Sequence, residues 1–217
     1  MIEIKPIQNL QATVTIPGSK SYTNRALLIA GLSDGECRLE KPLVSDDTKY
    51  MIRALKAFQI PVQEDREAFI VFGKGGELAM PSDPIFVGNA GTAMRFLTTF
   101  SSLVPGKIHL DGDGRMRERP LADLLDCLKQ MGVKANSVKN TGCPPIDIEG
   151  GKVTGGDIKL AGNNSSQYLT SILLSAPYFE QDTCVHIQGD LTSKSYADIT
   201  LDIMKTFGVH VGNESYQ

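Results

Sequence analysis

The sequence predicts an α/β (α+β) chain made of three copies of one β-α-β-α-β-β unit. The first observation is a repeat: three similar segments each end a helical pattern, at residues 55–62 (LKAFQIPV), 128–135 (LKQMGVKA) and 204–211 (MKTFGVHV). Their lysines are 73 and 76 residues apart. The second observation is a loop of small polar residues upstream of each segment. Short β-rich runs fill the intervals, so the repeats cover about 13–75, 84–149 and 156–217.

Two helices are predicted in each copy. The helix that ends in the repeated segment is amphipathic, because its apolar residues recur at three- and four-residue steps. Gly132 and Gly208 stand where a helix C-terminal glycine belongs, and Gln59 takes that place in the first copy. The other, more apolar helix follows the polar loop, at 24–32, 93–103 and 167–176.

Strands are predicted around these helices, in chain order, at 13–16, 37–40, 60–63 and 69–72; at 85–87, 107–111, 133–136 and 146–148; and at 157–160, 184–188 and 209–211. The third copy therefore lacks a strand matching 69–72, and we expect it to be one strand short.

Composition excludes several classes of protein. The 217 residues are 41% hydrophobic and 22% charged, which is typical of a globular chain. The longest apolar stretch, Ala26–Leu32, is far shorter than a membrane span, and no targeting segment is visible, so we expect a cytoplasmic protein without membrane contact. A net charge of −3 argues against a general nucleic-acid binder. The dispersed cysteines and histidines predict no metal site and no cofactor.

The polar loops are the candidate ligand sites, since a helix N-terminus favours anions. The first loop places the ammonium of Lys20, the hydroxyl of Ser21 and the guanidinium of Arg25 around one helix start. The glycine spacing of a nucleotide-binding P-loop is absent. A capped helix with a solvated lysine and arginine is the structural alternative. Residues 45–47 (SDD) are interpreted mainly as a helix cap.

In the second copy, Gly91 either allows close approach to the backbone or serves a tight turn, and a charged loop at 111–120 precedes the next helix. If that loop is extended, Arg115, Arg117 and Arg119 point to one side, and Pro120 opens the helix. A solvated charged loop is the alternative. The dinucleotide-binding glycine pattern is incomplete.

The third copy offers hydroxyls, amides and a phenol at 163–167 and 193–196. Such groups suit a polyhydroxylated ring or phosphate oxygens. N-capping by Ser166 and Ser195 is the structural alternative. Together the three copies predict a small, oxygen-rich ligand that carries several negative charges.

Six motifs in register resemble the 3-phosphoshikimate 1-carboxyvinyltransferase family of aromatic amino-acid biosynthesis: PGSKSYTNRALLIAGL, SDDTKYMIRAL, GNAGTAMR, GRMRERP, NNSSQYLTS and GDLTSKSYADITLDIMKTFGV. The resemblance implies one domain of a two-domain inside-out α/β barrel, about half of a family member. It further implies that residues 1–14 pack with a second domain, that 15–217 form the N-terminal substrate-binding domain, and that the full-length protein is a monomer.

The resemblance also implies the ligands and their contacts. Phosphoenolpyruvate would be bound by Lys20, Gly91, Arg115 and Gln167, and Lys20 would be catalytic. Shikimate 3-phosphate would be bound by Lys20, Ser21, Arg25, Ser165, Ser166, Gln167, Ser193 and Tyr196. Most acid–base groups belong to the other half in family members, so the chain alone is expected to be inactive.

This sequence departs from the family pattern at three places: Phe96 stands where proline is common, Asp113-Gly114 replaces a more rigid pair, and Ser195 replaces a frequent proline. The nearest alternative is the UDP-N-acetylglucosamine enolpyruvyl transferase, which carries a reactive cysteine in the loop corresponding to 112–120. That loop has none here, since Cys127 falls within a helix. A non-catalytic sugar-phosphate-binding module is a second alternative.

Overall fold

The computed structural model describes Glu3, Pro6 and residues 9–65 and 67–216. The first unit contains two helices and a three-stranded antiparallel sheet of order β1-β3-β2. Its elements are α1 (Lys20–Leu32), β1 (Asp34–Glu40), α2 (Asp46–Ala57), β2 (Val62–Glu64) and β3 (Ala68–Lys74).

The second unit contains all six predicted elements. Its sheet has the order β4-β5-β7-β6, in which β4 and β5 are parallel and the other pairs antiparallel. The elements are β4 (Ile85–Phe86), α3 (Gly91–Ser101), β5 (Gly106–Asp111), α4 (Ala122–Gln130), β6 (Lys134–Ser137) and β7 (Ile146–Gly150). A 3-10 turn, Met116–Glu118, lies between β5 and α4.

The third unit pairs two parallel strands and adds two helices. Its elements are β8 (Gly156–Ala161), α5 (Ser166–Ser175), β9 (Thr183–Gln188) and α6 (Lys194–Thr206). β8 and β9 repeat the parallel pairing of β4 and β5, so the second and third units share this feature, whereas the described strands of the first unit pair only antiparallel.

Two predicted strands are wrong. Residues 13–16 are irregular, and Val14 and Ile16 remain 77% and 85% exposed. Residues 209–211 are irregular as well. A strand needs a neighbour for its backbone groups. Among the described residues, β1 pairs only with β3, and the third unit has no counterpart of β7 against which residues 209–211 could pair.

Helices occupy the interior and the sheets lie outside them. The more apolar helices α1, α3 and α5 are buried over most of their length and pack on one another. Thr99 on α3 shares a 2.6 Å hydroxyl contact with Ser171 on α5, which satisfies both groups inside the core. This is the inside-out order that the family resemblance implies, although the described strands form three separate sheets rather than one closed barrel.

The three amphipathic helices end in the same way. Gln59, Gly132 and Gly208 adopt left-handed φ angles of 60°, 81° and 82° directly after the helix ends. In each case the next amide donates back to the carbonyl five residues earlier, as from Ile60 to Leu55 at 3.0 Å. This is the Schellman arrangement. The predicted equivalence of Gln59 with the two glycines is therefore confirmed.

Candidate anion-binding site

The N-terminal halves of four helices meet at one place and bring the polar loops of the three units together. Gln167, at the start of α5, donates to the Thr92 hydroxyl at the start of α3 over 3.4 Å. Arg25, in the second turn of α1, reaches both α5 and α6. Converging helix N-termini give this region unpaired amides and a positive potential.

Arg25 is the most deeply buried charged side chain of this site, with 1% of its surface exposed. Its Nε donates to Thr200 Oγ1 at 2.8 Å, and its Nη1 to the Ser21 carbonyl at 3.0 Å. Its Nη2 donates to Thr170 Oγ1 at 3.2 Å and to the Tyr196 carbonyl at 3.1 Å. Four of its five N–H groups are thus used, so the solvated arginine considered above is wrong.

No carboxylate among the described residues pairs with Arg25. Instead, its guanidinium carbon lies 5.3 Å from the Phe96 ring centre and 5.9 Å from that of Tyr196, within the range of cation–π attraction. Burial lowers the pKa of Arg25 to about 10. The nearby Tyr196 and Tyr22 raise that pKa and so offset part of the effect of burial. Arg25 therefore remains positively charged at neutral pH, and an anion would supply the counter-charge that the described protein lacks.

Lys20 is the first residue of α1, and its ammonium is half exposed. It lies 3.4 Å from the Asp47 carboxylate in the first turn of α2. Ser45 caps α2 through a capping box with Thr48, as the sequence predicts. Asp47 has a further role, because its carboxylate pairs with the Lys20 ammonium.

Gly91 begins α3 beside two guanidinium groups. A Cβ added to Gly91 would lie 2.5 Å from Nη1 of Arg119 and 2.8 Å from Nη1 of Arg95. Arg95 Nη1 donates to the Gly91 carbonyl at 3.0 Å, and its buried Nε has no partner among the described residues. Burial lowers the pKa of Arg95. Close approach to the backbone thus explains glycine at position 91.

The loop before α4 is not extended, which corrects the expectation that three arginines share a face. The Asp113 carboxylate accepts from the Met116 amide at 2.9 Å and stabilises the 3-10 turn. Arg117 turns away to Asp111, with Nε 2.9 Å from Oδ1. Arg115 is exposed at the start of the turn. Arg119 is therefore the arginine of this loop that lies beside Gly91.

A further expectation about this region is corrected. Helix α4 begins at Ala122, after a cap at Leu121, rather than at Pro120. The Pro120 carbonyl instead accepts from the Tyr168 hydroxyl at 2.7 Å, which ties the loop to α5. Tyr168 also stacks below Arg95, whose guanidinium carbon lies 5.7 Å from the ring centre.

The third unit presents hydroxyls at two helix starts. Ser165, not Ser166, caps α5 and accepts from the Gln167 amide at 3.2 Å. Ser193, not Ser195, is the cap residue of α6, and its hydroxyl makes no capping bond. Its left-handed φ of 57° is unusual for a residue with a side chain. Ser193 and Tyr196 are both exposed.

The arrangement suits an anion with several oxygens. Arg95 and Arg119 lie beside Gly91, and the Arg25 guanidinium lies against Phe96, the residue after Arg95. Lys20 is the first residue of the helix that carries Arg25. The sequence indicated Arg119 only as one of three loop arginines and favoured Arg115, and it missed the two threonines that accept from Arg25. The buried Cys127 is unsuited to nucleophilic chemistry, since desolvation and the nearby Asp123 and Asp126 raise its pKa to about 12. None of the described helices is both long and apolar enough to cross a membrane.

The three units, with polar loops that meet at the N-termini of their inner helices, define an α/β fold with a candidate site for a small anionic ligand. The chain belongs to the EPSP synthase (3-phosphoshikimate 1-carboxyvinyltransferase) family, whose model matches residues 4–217. The family resemblance predicted from the motifs is thereby confirmed.

Relatives and solved structures agree with this assignment. The chain is 45% identical over 219 residues to a 3-phosphoshikimate 1-carboxyvinyltransferase of Sulfurovum sp., covering all of this chain and 51% of that protein. A Pectobacterium carotovorum enzyme of the same name is 46% identical over 220 residues with the same coverage. An EPSP synthase structure from Acinetobacter baumannii superposes with a TM-score of 0.85 at 25% identity, covering 94% of this chain and 45% of that one. The chain thus spans about half the length of these relatives.

Proposed function

We propose that the chain serves transfer of the enolpyruvyl group from phosphoenolpyruvate to the 5-hydroxyl of shikimate 3-phosphate, and that it supplies the shikimate 3-phosphate cradle. The observation that carries the proposal is Arg25, a buried cation without a carboxylate partner among the described residues. Its guanidinium donates to two threonine hydroxyls and two backbone carbonyls and lies against Phe96 of the second unit. Family membership gives the reaction class, and this site gives the anion-binding chemistry.

The two negative groups of shikimate 3-phosphate fit different parts of the site. The phosphomonoester suits the helix starts of α5 and α6, where hydroxyls and unpaired amides can donate to it. The ring carboxylate and hydroxyls suit the α1 side. The proposed contacts are Lys20, Ser21, Arg25, Ser165, Ser166, Gln167, Ser193 and Tyr196.

Phosphoenolpyruvate would lie against Lys20, Gly91 and Gln167 together with an arginine of the loop before α4. Arg115 is the arginine that the motifs suggest, but Arg119 is the better candidate because its guanidinium lies beside Gly91. An arginine fork at that position can donate two parallel bonds to a carboxylate or phosphate.

In the proposed reaction, the 5-hydroxyl oxygen bonds to C2 of the enolpyruvyl group, C3 takes up a proton and the hydroxyl loses one. Loss of a C3 proton and of inorganic phosphate from the tetrahedral intermediate then restores the double bond. Lys20, whose ammonium lies 3.4 Å from the Asp47 carboxylate, would bind both ligands and relay a proton. The other acid–base groups would come from the half of the relatives that this chain does not match.

That second half is the proposed partner of this chain. The complete protein would act as a cytoplasmic monomer, and the chain by itself would turn over no substrate. The chain therefore needs to be tested both alone and joined to a complementary half.

The direct experiment measures phosphate release from the two proposed substrates by the chain alone and by a fusion to the C-terminal half of the Sulfurovum relative. Activity is expected only from the fusion, and only with shikimate 3-phosphate. Replacing shikimate 3-phosphate with UDP-N-acetylglucosamine provides the matched specificity control. Turnover by the chain alone would contradict the proposal that the active site needs groups from both halves of the protein. Turnover of the nucleotide sugar would overturn the substrate assignment.

A further inference from the structure

A second group of chemically reactive side chains lies on the outer face of the β8–β9 sheet. The parallel register sets Asp157 directly beside Cys184, and His186 follows two residues along β9 on the same face. One ligand atom from each of these three side chains lies within 4.8 Å of the others. All three residues are exposed, whereas their neighbours Val185 and Ile187 pack against the core.

This cluster has no role in the core or in the anion-binding site. Asp157 is the second residue of β8, whereas the site loop at 162–165 follows the far end of that strand. Ala161 lies four residue steps along the strand from Asp157, a distance of roughly 13 Å. Cys184 is a free thiol. The only bond within the cluster joins His186 Nε2 to Asp157 Oδ1 at 2.7 Å.

The three atoms are a thiol sulfur, an imidazole nitrogen and a carboxylate oxygen. This is a ligand set for Zn²⁺ and similar borderline-soft cations, which accept tetrahedral sites of three protein ligands and one water. Cys184 would lose its proton on binding, so thiolate and carboxylate together would neutralise a divalent charge. Lys159 lies opposite His186 in the strand register and therefore on the same face. Its positive charge would repel a bound cation.

We propose that Asp157, Cys184 and His186 form a surface site for a thiophilic divalent cation, with Zn²⁺ as the natural occupant and water as the fourth ligand. Small side-chain rotations would suffice, because every member is exposed and the sheet fixes their backbones. Binding would displace the His186–Asp157 hydrogen bond, so that His186 Nε2 and the carboxylate both turn to the metal.

The chain offers a matched control. His109 and Asp147 form a similar pair across β5 and β7, with Nδ1 2.7 Å from Oδ1. The metal-ligand cluster found among the described residues does not include this pair, which has no cysteine beside it. His109→Asn therefore removes a comparable histidine without touching the proposed ligand set.

The test is a titration of the reduced full-length protein with Co²⁺ alone, which replaces Zn²⁺ and gives a thiolate-to-metal absorption band in the near ultraviolet. We expect a saturable absorption band that disappears when Zn²⁺ is added. The band should be absent in Cys184→Ser. In His186→Asn it should need at least about tenfold more Co²⁺ to reach the same absorbance. His109→Asn should behave as the wild type. No band, a band that survives in Cys184→Ser, or equal losses in the two histidine variants would overturn the proposal. Enzyme activity does not enter the readout.

Discussion

Arg25→Met is the most informative substitution in the proposed cradle, because methionine keeps much of the apolar stem and removes the guanidinium. Four of the five N–H groups of Arg25 bind protein oxygens, which leaves one on Nη1 for a ligand. One hydrogen bond from a charged donor to an anion contributes about 1.5–3 kcal/mol. Shikimate 3-phosphate should therefore bind roughly 10- to 150-fold more weakly to the variant.

The variant should still fold, because two effects on stability nearly cancel. Burial lowers the pKa of Arg25 from 12.5 to about 10, so keeping the charge in the folded state costs roughly 3 kcal/mol at neutral pH. Methionine removes that cost and also removes four hydrogen bonds worth about 1 kcal/mol each. The free energy of unfolding should change by no more than about 1–2 kcal/mol.

Calorimetric titration of shikimate 3-phosphate into the full-length protein measures the affinity, and urea unfolding measures stability. Arg53→Met is the matched control, since Arg53 is an exposed arginine of α2 that stacks on Tyr50 outside the cradle. Unchanged affinity in a folded Arg25→Met protein would refute the assignment of Arg25 to the ligand. An equal loss in Arg53→Met would show that the effect is general electrostatics.

Three further substitutions or treatments have defined outcomes. Gln59→Gly should raise the free energy of unfolding by about 0.5–1 kcal/mol in urea, because glycine adopts the left-handed φ of 60° without strain; a decrease would contradict this. In the fusion to a complementary half, Gly91→Ala should raise KM for phosphoenolpyruvate roughly 5- to 100-fold, because its Cβ would lie 2.5 Å from Arg119, whereas an unchanged KM would place that ligand elsewhere. At pH 8, iodoacetamide should modify the exposed Cys184 and spare Cys127, whose pKa is about 12, as peptide mass spectrometry would report; rapid modification of Cys127 would argue against its burial.

The helices could be predicted from the sequence because their signals are local. Apolar spacing and the residue at each C-terminus lie within one segment, and Gln59 takes the same conformation as Gly132 although its side chain differs. Strands depend on distant partners. The β-rich patterns at 13–16 and 209–211 are real, but no neighbouring strand among the described residues pairs with either segment.

The site could be predicted only in part for a similar reason. Residue types in the loops identified Lys20 and Arg25, but the partners of Arg25 lie 145 and 175 residues away, at Thr170 and Thr200. The choice between Arg115 and Arg119 depends on a single turn set by Asp113. The spacing of the arginines at every second position does not show that the loop forms this turn rather than an extended segment.

The surface cluster illustrates the same limit. Cys184 and His186 are two residues apart, and this spacing places both on one face of a strand. Asp157 joins them only through the parallel register of β8 and β9, which the sequence does not display. The expectation that dispersed cysteines and histidines form no metal site rested on spacing alone.

We propose that the polar loops of the three repeated units form one cradle for shikimate 3-phosphate. A crystal structure of the full-length protein with that ligand bound tests this proposal most directly. We expect the phosphate at the helix starts of α5 and α6, within hydrogen-bond distance of Ser165 or Ser193, and the remaining polar groups of the ligand against Lys20 and Arg25. A ligand bound away from these helix starts and out of contact with Arg25 would contradict the proposal.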